Sequence, residues 1–95
     1  MTTRIPRNAL TVFYASETLI QEGGQRRAGR EQRSTTFREA RKFLDGLGAP
    51  GNVSVWRASN NLTNAYATRD RDGSWFGLDR LTGKWEPIAS GVPRG

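Results

Sequence analysis

Positively charged side chains are concentrated in one window of this 95-residue sequence, between Arg26 and Lys42. The window holds seven basic residues against two acidic ones, so it carries +5 of the formal net charge of +6. Its basic residues are Arg26, Arg27, Arg30, Arg33, Arg38, Arg41 and Lys42. Guanidinium groups form planar, bidentate pairs with phosphate and carboxylate, so the window favours binding of nucleic acid or of an acidic protein surface. The alternative is a charged loop and helix face that contact only water.

Aromatic side chains form a second group of candidates. Five of them fall in segments that we predict to be strands, namely Trp56, Tyr66, Trp75, Phe76 and Trp85. Arginines interleave with these rings, as they do in sheets that stack bases and hold phosphates. Because the chain has few other large apolar residues, we assign most of the rings to the core. Trp56, Arg69 and Arg71 complete the set of candidate partner-binding residues.

The sequence offers little to a catalytic mechanism. It contains neither Cys nor His, which removes disulfides, the common metal-ligand sets and the usual general base near neutral pH. Its nine carboxylates are scattered, and Asp70, Asp72 and Asp79 fall in or beside predicted turns, where Asp is favoured for backbone reasons. We therefore predict that the protein is not an enzyme and needs neither metal nor cofactor. A small hydrolase is the alternative, since paired carboxylates meet only in the fold.

One helix is predicted from strong local signals. It begins after Thr36, which forms a capping box with Glu39, and it ends near Leu47, where Gly48 can adopt a left-handed conformation. Its apolar residues share one face, which we expect to pack on a sheet: Phe37, Ala40, Phe43, Leu44 and Leu47. The opposite face carries Arg38, Arg41, Lys42 and Asp45. Because a rigid helix needs less ordering on binding than a mobile loop, we expect its basic residues to contribute more per charge.

Strands are predicted on both sides of this helix. The first runs from Leu10 to Ile20, and the charged stretch from Gln21 to Arg33 lacks apolar periodicity, which predicts a long mobile loop. Four more strands are predicted at Val53 to Ala58, Asn64 to Arg71, Trp75 to Asp79 and Lys84 to Ile88. Pro87 cannot donate to a ladder, so the last strand should lie at an edge of the sheet or end at that residue. The order β-α-β-β-β-β predicts an α+β fold, with an antiparallel sheet of four to five strands and one helix packed on one face.

Length and hydropathy predict a single soluble domain over residues 1–95, in which residues 1–9 and 89–95 form flexible tails. No apolar run approaches the length of a membrane span, and the N-terminus has no apolar signal core. We therefore expect a cytoplasmic protein that makes no contact with a membrane.

Several segments together resemble the small phage-encoded anti-CRISPR proteins that inhibit type I surveillance complexes, in particular a type I-F inhibitor. They are the basic window with the helical stretch Phe37 to Lys42, the Asn52 to Val55 strand, and the closing segments Asp72 to Trp75 and Gly83 to Ile88. The resemblance implies one helix packed on a five-stranded antiparallel sheet. It also implies binding along the backbone subunits of a CRISPR ribonucleoprotein, in the cytoplasm of an infected bacterial host.

Two functions follow as hypotheses. The first is a stoichiometric inhibitor of a nucleic-acid-handling assembly, most concretely a type I CRISPR complex, which contacts ribonucleoprotein subunits or another acidic protein surface. The second is a small basic DNA- or RNA-binding domain, such as a phage or plasmid regulator, with the basic window on phosphates and sheet aromatics on bases.

Overall fold

The computed structural model describes Ile5 and residues 8–88, so most of the two predicted tails, residues 1–9 and 89–95, lie outside the described residues. The described part contains six strands and one helix. In chain order these are β1 (Thr11–Ile20), β2 (Arg26–Ser34), α1 (Phe37–Leu47), β3 (Gly51–Arg57), β4 (Leu62–Arg69), β5 (Trp75–Leu78) and β6 (Trp85–Ile88). No helix in this part of the chain has the length and apolar character needed to cross a membrane.

All six strands form one antiparallel sheet in the order β2-β1-β3-β4-β5-β6, and α1 packs on one face across β1, β2 and β3. The α+β class and the antiparallel sheet with its single helix are therefore confirmed. The predicted count of four to five strands and the order β-α-β-β-β-β are wrong, because an additional strand precedes the helix. The prediction that Pro87 belongs to an edge strand is confirmed, since β6 lies at one edge of the sheet.

The additional strand is β2, which occupies most of the segment that the sequence predicts to be a mobile loop. Antiparallel pairing with β1 sets Arg33 opposite Tyr14 and Ala28 opposite Thr18. An edge strand exposed on most of its surface needs no apolar alternation, so a polar sequence is compatible with it, and its charges discourage pairing with other chains. Only a tight turn separates β1 from β2, in which the Gln21 backbone N–H donates to the Gln25 carbonyl at 2.7 Å.

The helix begins and ends where the sequence predicts. The Thr36 hydroxyl accepts a hydrogen bond from the Glu39 backbone N–H at 3.3 Å, and Gly48 ends the helix at φ 63°. The predicted apolar face is confirmed as well: Phe37, Ala40 and Leu44 are buried, while Phe43 and Leu47 are partly buried against the core. These contacts orient α1 on the sheet and leave its opposite side to solvent.

Aromatic rings fill the space between α1 and the sheet. The Phe37 ring centroid lies 5.1 Å from that of Tyr66 and 5.7 Å from that of Trp75, in tilted and edge-on arrangements that aromatic pairs favour. Phe13 packs against the same cluster, 5.1 Å from Tyr66. The prediction that most strand aromatics are core therefore holds only for Tyr66 and Trp75.

Candidate binding face

The sheet has one face that α1 does not cover, and we call it the open face. Successive strand residues point to opposite sides, so the neighbours of the buried core residues define it. On β1, for example, Phe13 and Ala15 are buried beneath α1, and Tyr14 between them points to the open face. Pairing across the strands gives its members as Arg26, Ala28, Glu31, Arg33, Val12, Tyr14, Ser16, Thr18, Ile20, Asn52, Ser54, Trp56, Thr63, Ala65, Thr68, Phe76, Leu78, Trp85 and Pro87.

Four aromatic rings lie on the open face. Tyr14 and Trp85 are 39% and 46% exposed, and Trp56 and Phe76 are half-buried. The Trp56 indole N–H donates to the Asn61 side-chain carbonyl at 2.9 Å, which holds the ring in one orientation. Tyr14 is paired with Ser54, two residues before Trp56, so the two rings are diagonal neighbours on adjacent strands. The open face therefore presents aromatic surface that the core does not use.

Two of the predicted arginines flank these rings along the sheet edge. On β2, Arg33 lies opposite Tyr14 and Arg26 lies opposite Ile20, and both arginines are exposed. Arg27, opposite Leu19, points to the other side of the sheet. The open face thus combines rings spread from β1 to the opposite edge strand β6 with guanidinium groups at its β2 edge.

Arg30 on the same strand is already engaged within the protein. The carboxylate of Glu17 on β1 is buried, and it accepts hydrogen bonds from the Arg30 backbone N–H at 3.1 Å and from its guanidinium at 3.3 and 3.4 Å. These hydrogen bonds from Arg30 hold the pKa of Glu17 below its ordinary value, since they stabilise the charged form. Gly29 gives the carboxylate room, because a Cβ atom there would lie 2.5 Å from a Glu17 oxygen.

Arg69 and Arg41 are also held by internal contacts, and both converge on Asp45. One Asp45 carboxylate oxygen accepts from the Arg69 Nε and from the Trp75 indole N–H, both at 2.9 Å. Arg69 also donates to the Ala49 carbonyl at 2.9 Å, and only 10% of its side chain is exposed. Arg41 lies 3.8 Å from the other Asp45 oxygen, with its guanidinium carbon 5.5 Å from the centre of the Trp75 ring. The sequence-based prediction that Arg41 and Asp45 point away from the sheet is therefore wrong.

Arg38 and Lys42 lie one helical turn apart on the exposed side of α1, as predicted. Because α1 covers the face opposite the open face, these two charges are on the other side of the molecule from Arg26 and Arg33. The basic window, continuous in sequence, is thus divided between two surfaces.

A groove of about 490 Å³ lies at the end of the open face near the β1–β2 and β4–β5 turns. It brings together three of the predicted partner-binding residues, Arg26, Arg69 and Arg71. Its floor is polar: the Thr68 hydroxyl lies 3.0 Å from the Asn52 side-chain carbonyl, and the Asn52 amide donates to the Thr18 hydroxyl at 3.3 Å. Two aspartates, Asp70 and Asp72, complete the polar lining.

Sequence reasoning missed several residues of this surface. The alternation within β1 could have separated Tyr14 from Phe13, but nothing local indicates which of them faces the helix. The polar residues Thr18, Asn52 and Thr68 carry no signal in sequence, since only the strand register places them side by side. Within the described residues, no group of three or more acidic side chains is placed to hold a metal ion.

Comparisons with protein-family models, with curated proteins and with solved structures find no match to this chain. The resemblance to type I anti-CRISPR proteins therefore rests on the sequence segments that suggested it and stays a prediction.

Proposed function

We propose that this protein binds single-stranded nucleic acid on the open face, without catalysing a reaction and without a cofactor. The observation that carries the proposal is the sharing of one uncovered surface by Tyr14, Trp56, Phe76 and Trp85 with the arginines at its β2 edge. Exposed rings stack on bases regardless of base identity, while guanidinium groups hold the phosphates that link them.

A single strand suits this surface better than a duplex. Stacking on Tyr14 or Trp56 requires bases whose flat faces are accessible, and in a duplex these faces are covered by neighbouring base pairs. The row that runs from Arg33 through Tyr14 to Ser54 offers a phosphate contact and a stacking contact on adjacent strands. A nucleic-acid strand lying across the sheet would contact the Arg33 guanidinium and the Tyr14 ring together.

The net charge supports the same proposal. At +6, the domain attracts a polyanion over long range, and each phosphate that it neutralises releases condensed counterions. Affinity for nucleic acid should therefore fall steeply with salt, unlike that of an interface built on shape complementarity.

The test is a fluorescence anisotropy titration of a labelled single-stranded oligonucleotide and its duplex, at roughly 50 and 200 mM salt. We expect the single strand to bind more tightly than the duplex, and both affinities to fall with salt. Trp56→Ala should weaken single-strand binding about fivefold or more, since a stacked base contributes about 1–3 kcal/mol. Leu81→Ala is the matched control, because Leu81 is 96% exposed and lies in a turn outside the open face. Absence of binding at low salt would overturn the proposal.

The second candidate function is the stoichiometric inhibitor of a type I CRISPR complex. It is favoured by one observation, the position of Arg38 and Lys42 on the side of the molecule opposite the open face. A short nucleic acid bound on the open face does not contact Arg38 and Lys42, whereas a protein assembly that surrounds the domain can contact both sides. Here the measurements are co-elution of the purified protein with type I complexes and restoration of phage plaquing in strains that carry them. Failure of both would exclude this function.

A further inference from the structure

We infer that the groove at the end of the open face binds a ribose-phosphate unit, so that the preferred strand is RNA rather than DNA. The inference rests on the proposed function and names its substrate. Its basis is the combination, in one groove, of cationic donors, anionic acceptors and neutral polar groups.

The cationic donors are Arg26 of β2 and Arg71 of the β4–β5 turn, which line the groove from two sides. Both side chains are exposed, and neither forms an ion pair with another described residue. Arg69 lines the groove too, but its side chain is only 10% exposed and its guanidinium already donates to Asp45 and to the Ala49 carbonyl. Arg26 and Arg71 are thus the groups able to take a phosphate.

Asp70 and Asp72 supply the anionic acceptors. One carboxylate oxygen of Asp72 accepts a hydrogen bond from the Ser74 backbone N–H at 3.0 Å. This hydrogen bond holds the pKa of Asp72 below its ordinary value. The three arginines and two aspartates that line the groove give it a formal charge of only +1, and its two carboxylates make it poorly matched to phosphate alone. It does match a ligand in which a hydroxyl group lies beside the phosphate, because an ionised carboxylate accepts from a hydroxyl.

RNA presents that pair of groups and DNA does not. The 2′-hydroxyl of ribose is both donor and acceptor, and it is the group by which proteins distinguish the two polymers. A deoxyribose strand would place its phosphates near Asp70 and Asp72 with no hydroxyl to satisfy them. The carboxylates would then repel the strand without compensation.

The polar floor of the groove and the aromatic ring beside it also fit a ribose-phosphate unit. The Thr18 hydroxyl accepts from Asn52, so its own proton is directed elsewhere and can be donated to a ligand oxygen. Across β4 and β5, Thr68 is paired with Phe76, which sets an aromatic ring beside the groove for the attached base. A volume of about 490 Å³ lies within the ordinary range of small-ligand sites.

The experiment compares single strands of oligouridine and oligodeoxyuridine of equal length, which differ only at the 2′ position. We expect the ribose strand to bind about tenfold more tightly, as for one hydrogen bond to a charged group. A 2′-O-methyl strand, which cannot donate from that position, should bind like the deoxyribose strand.

The variant pair Asp70→Asn with Asp72→Asn should bring the ratio of RNA to DNA affinity close to one, mainly by improving binding of DNA. Asn retains the acceptor that closes the turn, so the fold is preserved. Asp79→Asn is the matched control, because Asp79 accepts from the Leu81 backbone N–H at 2.9 Å in another turn, outside the groove. Equal affinities of the parent for RNA and DNA would overturn this inference and leave the proposed function intact. Failure to bind either strand would overturn both.

Discussion

The guanidinium Nε of Arg69 on β4 lies 2.9 Å from the carboxylate of Asp45 on α1. This ion pair joins the helix to the sheet, and the Trp75 indole N–H shares the same carboxylate oxygen. Arg69, which the sequence suggests as a partner-binding residue, therefore has a structural contact that explains its burial.

Removing that carboxylate should destabilise the fold. Asp45→Ala leaves Arg69 and the Trp75 N–H without their shared acceptor, and we expect a loss of about 1–3 kcal/mol in the free energy of unfolding. Glu86→Ala on edge strand β6 removes an exposed carboxylate and should change it by less than about 0.5 kcal/mol. Urea denaturation followed by tryptophan fluorescence measures both, and equal effects would show that the Asp45 contacts contribute nothing specific.

Leu44 should be among the most costly residues to truncate. It is fully buried between α1 and the sheet, so Leu44→Ala should lower the free energy of unfolding by about 2–5 kcal/mol. Leu81→Ala is the control, because it makes the same substitution at a position that is 96% exposed and should change the free energy of unfolding little. A Leu44→Ala effect no larger than the control would contradict the packing of this helix face.

Two glycine substitutions should have opposite signs. At Gly51 a Cβ atom would lie 2.6 Å from the Ser16 carbonyl oxygen and 2.8 Å from a Leu44 methyl carbon, so Gly51→Ala should cost about 1–3 kcal/mol. At Gly46, inside α1, a Cβ atom would meet nothing within 4 Å. Gly46→Ala should stabilise the protein by about 0.5–1 kcal/mol, because glycine is a poor helix former. Thermal denaturation measures both effects: relative to the parent, the midpoint should fall for Gly51→Ala and rise for Gly46→Ala.

The Glu17 ion pair should make stability depend on pH. The folded-state pKa of Glu17 is lowered, so its stabilisation is present above the ordinary value of 4.5 and is lost as the pH falls through the folded value. Glu17→Gln should therefore be less stable than the parent at pH 7, and the difference should shrink as the pH falls from about 5 to 3. Denaturation at several pH values measures this, with Glu86→Gln as the exposed control. A difference that stays constant with pH would contradict the role of the charge.

Charge reversal at two sites should locate the binding surface. The sequence alone favours the helix arginines, because it treats Arg26 to Arg33 as a mobile loop; since β2 is a strand, that reason no longer applies. We expect Arg26→Glu with Arg33→Glu to abolish nucleic-acid binding, and Arg38→Glu with Lys42→Glu to weaken it only through net charge. Both pairs leave the contacts of Arg41 with Asp45 and Trp75 intact. The opposite ranking, measured by anisotropy, would move the binding surface to α1.

Much of the fold was predictable because its signals are local. Thr36, Gly48 and the apolar spacing between them predict α1 correctly, since capping and amphipathicity are read within a few turns. Strand β2 was missed for a physical reason, because an edge strand is held by backbone hydrogen bonds to β1 and shows no side-chain pattern. The two glycines in its preceding turn, Gly23 and Gly24, both adopt positive φ, and they indicate a turn without showing where it ends.

The net charge, its clustering between Arg26 and Lys42, the lack of Cys and His, and the helix with its apolar face are all readable from the amino-acid sequence. Which of these residues are available to a partner depends on how the strands and the helix pack together. Trp75 and Phe76 are adjacent and must face opposite sides of β5, but the choice between core and open face depends on where α1 packs. Asp45 meets Arg69 and Trp75 across 24 and 30 residues of sequence. Such contacts follow from strand register and helix packing, which involve the whole chain and leave no local trace.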